Sequence, residues 1–296
     1  LFINTKFYVI TVASIFIALG IGIYVGFMLD AQEILIHQKQ DIVASLEERF
    51  DYIRAENQKM KLKIDKLEKQ ISNYEEFSNT VLPAIIRNKL NGIKVTIIET
   101  SDDYIYSGLV QTLEKSGAKV VSTITFKDSF INKLENYTNN TDNNLLNNFK
   151  TKSEKKDVKK IIIEELMKEL TEDQSKQLIN SLVENDFIDI FGNYKTGADY
   201  VIITGGYIEA DNYINLKNYI KEIINYCKKN DIPVIGVEKE NVKRSYISVY
   251  KEERIPSIDN VDSVIGKASL ILTMTGKPGN YGIKNTADTL MPSYIY

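Results

Sequence analysis

The pattern of apolar and polar positions divides the chain into three stretches with different periods. From Tyr8 to Leu29 there is no charged residue, which is long enough for a helix to cross about 30 Å of hydrocarbon. A secretory leader has a shorter apolar core, of roughly 7 to 15 residues, followed by small residues at a cleavage site. No Ala-x-Ala follows here, so the pattern predicts an anchor over residues 1–29. Lys6 precedes the run, and Asp30 and Glu33 follow it. That asymmetry predicts a cytoplasmic N-terminus, with the bulk of the chain outside the cell membrane.

A seven-residue repeat then begins. With Val43 at position a, the a positions are Val43, Phe50, Asn57, Ile64 and Ile71, and the d positions are Leu46, Ile53, Met60, Leu67 and Tyr74. Asn57 is the one polar member, and a single Asn at a fixes register and favours two parallel strands. Across such a pair Glu56 faces Lys61 and Lys63 faces Glu68, while Arg49 meets Arg54. The repeat predicts a long parallel coiled-coil stalk over residues 30–82, against the alternative of an amphipathic helix folded back on its own domain. Inside the span, Ser14, Ala18, Gly22 and Gly26 recur every fourth position. They form either the matching dimer seam or the ordinary small-residue content of membrane helices.

Pro83 is expected to end or kink the stalk, and from Gly92 the pattern becomes that of a globular domain, 92–296. Strand-like runs at 93–99, 118–126, 187–191, 200–204 and 233–238 alternate with helix-like ones near 105–116, 158–170, 173–184 and 213–229. A last helix is expected over 262–274, capped by Asp259 or Asn260. Alternation of this kind predicts an α/β fold with a mainly parallel, Rossmann- or flavodoxin-like sheet. Residues 136–157 are rich in Asn, Lys and Thr and poor in hydrophobes, the composition of a mobile surface insertion.

Composition narrows the chemistry. One Cys (Cys227), one His (His37) and no Trp exclude an intrachain disulfide and a Cys/His metal cluster. Cys227 falls in an amphipathic helix, where a buried inert thiol is the simpler reading, and His37 falls at a solvent-facing stalk position. The five Met are scattered, unlike the clustered soft ligands that Cu(I) selects. A net charge of −3 without a basic stripe gives no footprint for nucleic acid. Ligands of parallel sheets bind beyond the carboxyl ends of strands. The places for a pocket are therefore Thr100, Ser101 and Asp102 after the first strand and Thr204, Gly205 and Gly206 after a later one, although the same residues serve as turns and caps. No nucleophile and base can be paired, so no enzyme is expected and no cofactor is predicted.

Several segments, in order, carry a resemblance: Ala18-Leu19-Gly20-Ile21-Gly22 in the span, the stalk repeat, Tyr200 to Gly206, Ser257 to Asp262 ahead of a helix, and Gly279-Asn280-Tyr281-Gly282. Together they resemble the mycobacterial copper transport protein B (MctB) family over nearly the whole chain. The resemblance implies copper homeostasis or export through an outer-membrane pore. Other members resemble a cell-division protein (SteB) that acts with a cytoplasmic thiamine-pyrophosphokinase-like partner on envelope hydrolysis. The chain departs from the pore description, because it lacks the repeated alternating strands of about ten residues that close a membrane barrel. No copper ligand carries over by motif. Two functions stay open: copper handling, or a dimeric envelope scaffold or regulator without copper chemistry.

Overall fold

The computed structural model describes residues 5–127, 130, 133, 134, 158–208 and 213–293. The expected insertion at 136–157 and the side chain of His37 lie outside the described residues. The chain divides into two compact units, 1–73 and 74–296.

Helix α1 (Thr5–Ile86) is continuous. Its segment Lys6–Asp30 is the one helix among the described residues long and apolar enough to cross a membrane. Pro83 lies inside α1. It does not end the helix where it stands, because the last turn runs on to Ile86 and the Arg87 N–H donates to the Pro83 carbonyl at 3.0 Å. The heptad side chains find no cover in a single chain. Exposure of the apolar a and d residues runs from 47% at Leu46 to 70% at Tyr74. Nothing lies within 4 Å of where a Cβ on Gly22 or Gly26 would stand, and the Ser14 hydroxyl turns back onto the carbonyls of Ile10 and Thr11.

The second unit is a three-layer α/β domain. Its elements are β1 (Lys94–Glu99), α2 (Leu109–Lys115), β2 (Lys119–Phe126), α3 (Val158–Thr171), α4 (Gln177–Glu184), β3 (Ile188–Gly192), β4 (Tyr200–Thr204), α5 (Tyr213–Lys229), β5 (Val234–Val237), α6 (Ile247–Glu252), β6 (Ser257–Ile258), α7 (Val264–Met274) and β7 (Asn280–Tyr281). The sheet order is β3-β2-β1-β4-β5-β6-β7. All pairs are parallel except β2 with β3, so the expected mainly parallel sheet is present. β3 runs the other way because it enters beside the carboxyl end of β2, where Phe126 pairs with Ile188. Asp186, in the left-handed region at φ 59°, makes that turn, and its carboxylate accepts from Lys133 at 3.0 Å and from Lys127.

Strand alternation sorts the core onto two faces. Ile98, Val201 and Ile203 pack with α3, α4, α5 and α6, while Val95, Ile97, Ile202 and Ile235 pack with α2, α7 and the end of α1 at Ile86. In α5 the buried set Leu216, Tyr219, Ile220, Ile223, Ile224 and Cys227 follows the period of one helix face. Gly236 has no side chain for a packing reason: a Cβ there would overlap the ring of Tyr250 on α6.

Three elements were not legible in the pattern. α6 is only six residues long, and β6 and β7 have two residues each, too short to show a period. The expected caps of α7 are also corrected. Ser263 caps it, its Oγ accepting from the Gly266 N–H at 2.9 Å, whereas Asp259 accepts from the N–H groups of Ile283 and Lys284, both at 2.8 Å.

Candidate functional site

β1 leads into α2 on one face of the sheet and β4 leads into α5 on the other. Where neighbouring strands send their connections to opposite faces, a crevice opens beyond their carboxyl ends. The six residues expected at strand ends fall here. Thr100 and Ser101 follow β1 and are buried; Thr204, Gly205 and Gly206 close β4 and are buried; Asp102 is exposed.

The crevice is largely filled by the protein's own bonds. The Thr100 hydroxyl donates to the Thr204 carbonyl at 2.8 Å, and the Tyr106 hydroxyl donates to the Gly205 carbonyl. The Gly205 N–H reaches the Val237 carbonyl at 2.6 Å. Ser101 Oγ accepts from the Asp103 N–H at 3.0 Å, and Asp103 accepts from the Ile208 N–H at 2.8 Å. Gly206 adopts φ +101°, and a Cβ on it would stand 2.7 Å from Val242. The cleft that remains against Thr100 and Ser101, walled by Phe126, Phe130, Tyr207 and Leu216, holds about 10 Å³. That is room for about one water.

Next to it, Glu238 follows β5 and is fully buried. Its carboxylate accepts from the Ser245 hydroxyl at 2.5 Å and the Tyr246 N–H at 3.0 Å, and it pairs with the Lys284 ammonium. Burial raises its pKa above the ordinary carboxylate value, against the lowering effect of Lys284 and Ser245. Glu99 at the end of β1 is likewise raised by burial, with the Thr125 hydroxyl donating to it at 2.6 Å. Tyr106 is pushed upward by burial and then by the nearby Glu238 charge, so it stays a neutral donor.

On the α2 and α7 side lies a larger cavity of about 260 Å³, lined by Ile105, Tyr106, Ser107, Leu109, Lys239, Val261, Asp262 and Lys267. No local pattern in the sequence marks Lys239 or Lys267 as site residues. Lys239 and Lys267 are about 30 positions apart, and only the pairing of β5 with β6 brings them to one opening.

Copper ligands are a separate question. Among the described residues no three His, Cys, Asp or Glu side chains converge as a metal site. Cys227 is fully buried, and burial pushes its thiol up to about 12, leaving almost no thiolate at neutral pH.

A family model described as copper transport outer membrane protein, MctB, matches residues 2–292. The chain belongs to the MctB family. No curated protein matches it. Membership makes it a copper-transport-related membrane protein, and the apolar segment of α1 is compatible with that. MctB is a transport family, not a known enzyme family. The described strands of this member form an open sheet with edges at β3 and β7.

Proposed function

We propose that this MctB-family chain serves copper handling as a paired, single-pass protein of the cell membrane, with its N-terminus in the cytoplasm and its α/β domain outside as a binding module. The observation that carries the reading is the uncovered heptad stripe of α1, half or more exposed at most a and d positions. A second copy in register would bury those side chains at about 25 cal/mol per Å² of apolar surface removed from water. Val43, Leu46, Phe50, Ile53, Asn57, Met60, Ile64, Leu67, Ile71 and Tyr74 are the seam of that pair, with Ser14, Ala18, Gly22 and Gly26 continuing it through lipid.

The one Cys is buried with its thiol pushed up to about 12 and the five Met are scattered along the chain, which favours a supporting role for the α/β domain over a soft-ligand cage. That same poverty of donors favours a second reading, an envelope regulator that couples an outer domain to a cytoplasmic thiamine-pyrophosphokinase-like partner through the span.

Cysteine cross-linking in membranes tests the pairing. Leu46→Cys at d should give a disulfide-linked dimer, whereas Leu62→Cys, at an outward heptad position, should not; equal linking at both sites rejects the stripe as the seam. The buried Cys227 leaves the background low. Copper handling is tested by growth of cells lacking the protein under added copper. Loss of tolerance restored by the wild-type chain supports it, and unchanged tolerance leaves the regulator reading in its place.

A further inference from the structure

We infer that the cavity between α2 and α7 is a binding site for a small soluble phosphorylated molecule carrying a hydroxylated carbon skeleton. It goes beyond the copper reading and concerns the α/β domain alone.

The cavity opens beyond the carboxyl ends of β1, β5 and β6, the end of a parallel sheet at which ligands bind. Its volume of about 260 Å³ lies just below the range of drug-sized sites, which starts near 300 Å³, and suits a molecule of monosaccharide size. Two half-buried lysines face it from different elements, Lys239 after β5 and Lys267 in the first turns of α7. Among the described residues neither ammonium has a hydrogen-bond or ion-pair partner. The other cation close by, Lys284, is already committed to Glu238.

Lys267 reaches across to the turn before α2, its Nζ 3.5 Å from where a Cβ on Gly108 would stand, beside the exposed Ser107 hydroxyl. Two point charges and a hydroxyl suit a phosphate monoester, which carries about −1.5 to −2 charge at neutral pH, better than a monoanionic carboxylate. Asp262 in the same lining would repel a bare anion. One of its oxygens accepts from the Glu240 N–H at 3.0 Å, and as an acceptor-only group it selects a ligand that also brings hydroxyl donors. Leu109 and the buried ring of Tyr106 give the carbon skeleton an apolar wall.

The test is phosphorus NMR of ribose 5-phosphate, and separately of inorganic phosphate, titrated against the full chain in detergent at constant ionic strength. Ribose 5-phosphate should broaden saturably, with a Kd of about 1 mM or tighter. Lys239→Gln/Lys267→Gln should weaken it by about tenfold or more, with an unchanged near-ultraviolet tyrosine spectrum confirming the fold. Absence of saturable binding, or equal binding by the double variant, overturns the assignment. Inorganic phosphate binding as tightly as ribose 5-phosphate overturns the part given to Asp262 and the apolar wall.

Discussion

Replacing Lys284 by Met tests how the carboxyl end of the sheet is held together. The substitution keeps most of the side chain's length and removes its charge. It leaves Glu238 fully buried with two donors, Ser245 and Tyr246, and no cation. Breaking a buried ion pair costs about 3–5 kcal/mol. Lys284 is 23% exposed and Glu238 keeps its two hydrogen bonds, so about 2–3 kcal/mol is expected at pH 8. In a domain of this size that corresponds to a fall in Tm of about 4–12 °C.

The sign of its pH dependence is fixed by Glu238. Its pKa in the folded chain is already raised by burial, and losing Lys284 removes a cause that lowers it. A carboxyl whose folded pKa lies above its unfolded value binds more protons in the native state. Its contribution to stability is therefore present at low pH and lost as pH rises through the folded value. The variant should thus lie close to the wild type near pH 5 and fall furthest below it near pH 8. Thermal melts of the full chain, followed by tyrosine near-ultraviolet circular dichroism, report mainly on the domain that contains Tyr246 and Tyr250, because four of the 18 tyrosines lie in α1 and the rest lie outside it. An equal loss at both pH values would refute the reasoning.

Three further outcomes follow from packing and burial. Gly236→Ala should destabilise the domain by about 1–3 kcal/mol through overpacking. Pairing it with Tyr250→Leu should cost less than the sum of the two single changes, as a double-mutant thermal cycle would register. A thiol reagent should label Cys227 only as the domain unfolds, because the thiol is buried and its pKa is pushed up to about 12; labelling of the native chain at neutral pH would contradict that burial. Asn57→Leu should raise the melting temperature of the stalk while broadening its oligomer distribution in sedimentation, and no change in either would remove Asn57 from position a.

Long elements with a clear period could be read from the chain. The run Tyr200 to Thr204 is buried at every position and reads as a central parallel strand because it is continuously apolar and β-branched. α5 reads as a helix because its apolar residues recur at three and four. The short pieces could not be read, because two residues of strand at Ser257–Ile258 carry no alternation. Their partners, Gly236 and Val237 on one side and Asn280 and Tyr281 on the other, are chosen by tertiary packing. The same limit hid the cavity between α2 and α7. Thr100 and Gly205 could be placed at strand ends from local pattern, but Lys239 and Lys267 look like ordinary solvated lysines until the sheet order brings them together. Asp259 looked like a helix cap for a similar reason: its partners lie 24 and 25 residues further along.

The central pairing of the sheet also dictates an order of assembly. β1 can meet β2 as soon as the helix between them forms, since Lys94 pairs with Lys119. Its other edge must wait for β4, because Val95 pairs with Tyr200. During synthesis, which proceeds from the N-terminus, the apolar segment of α1 is complete long before the strand that closes the middle of the domain exists. The half-sheet of β1 and β2 meanwhile presents an open apolar edge, a state prone to aggregation. Non-local pairing of this kind slows folding, so the interval before residue 204 emerges is when this chain most needs protection from association with its neighbours.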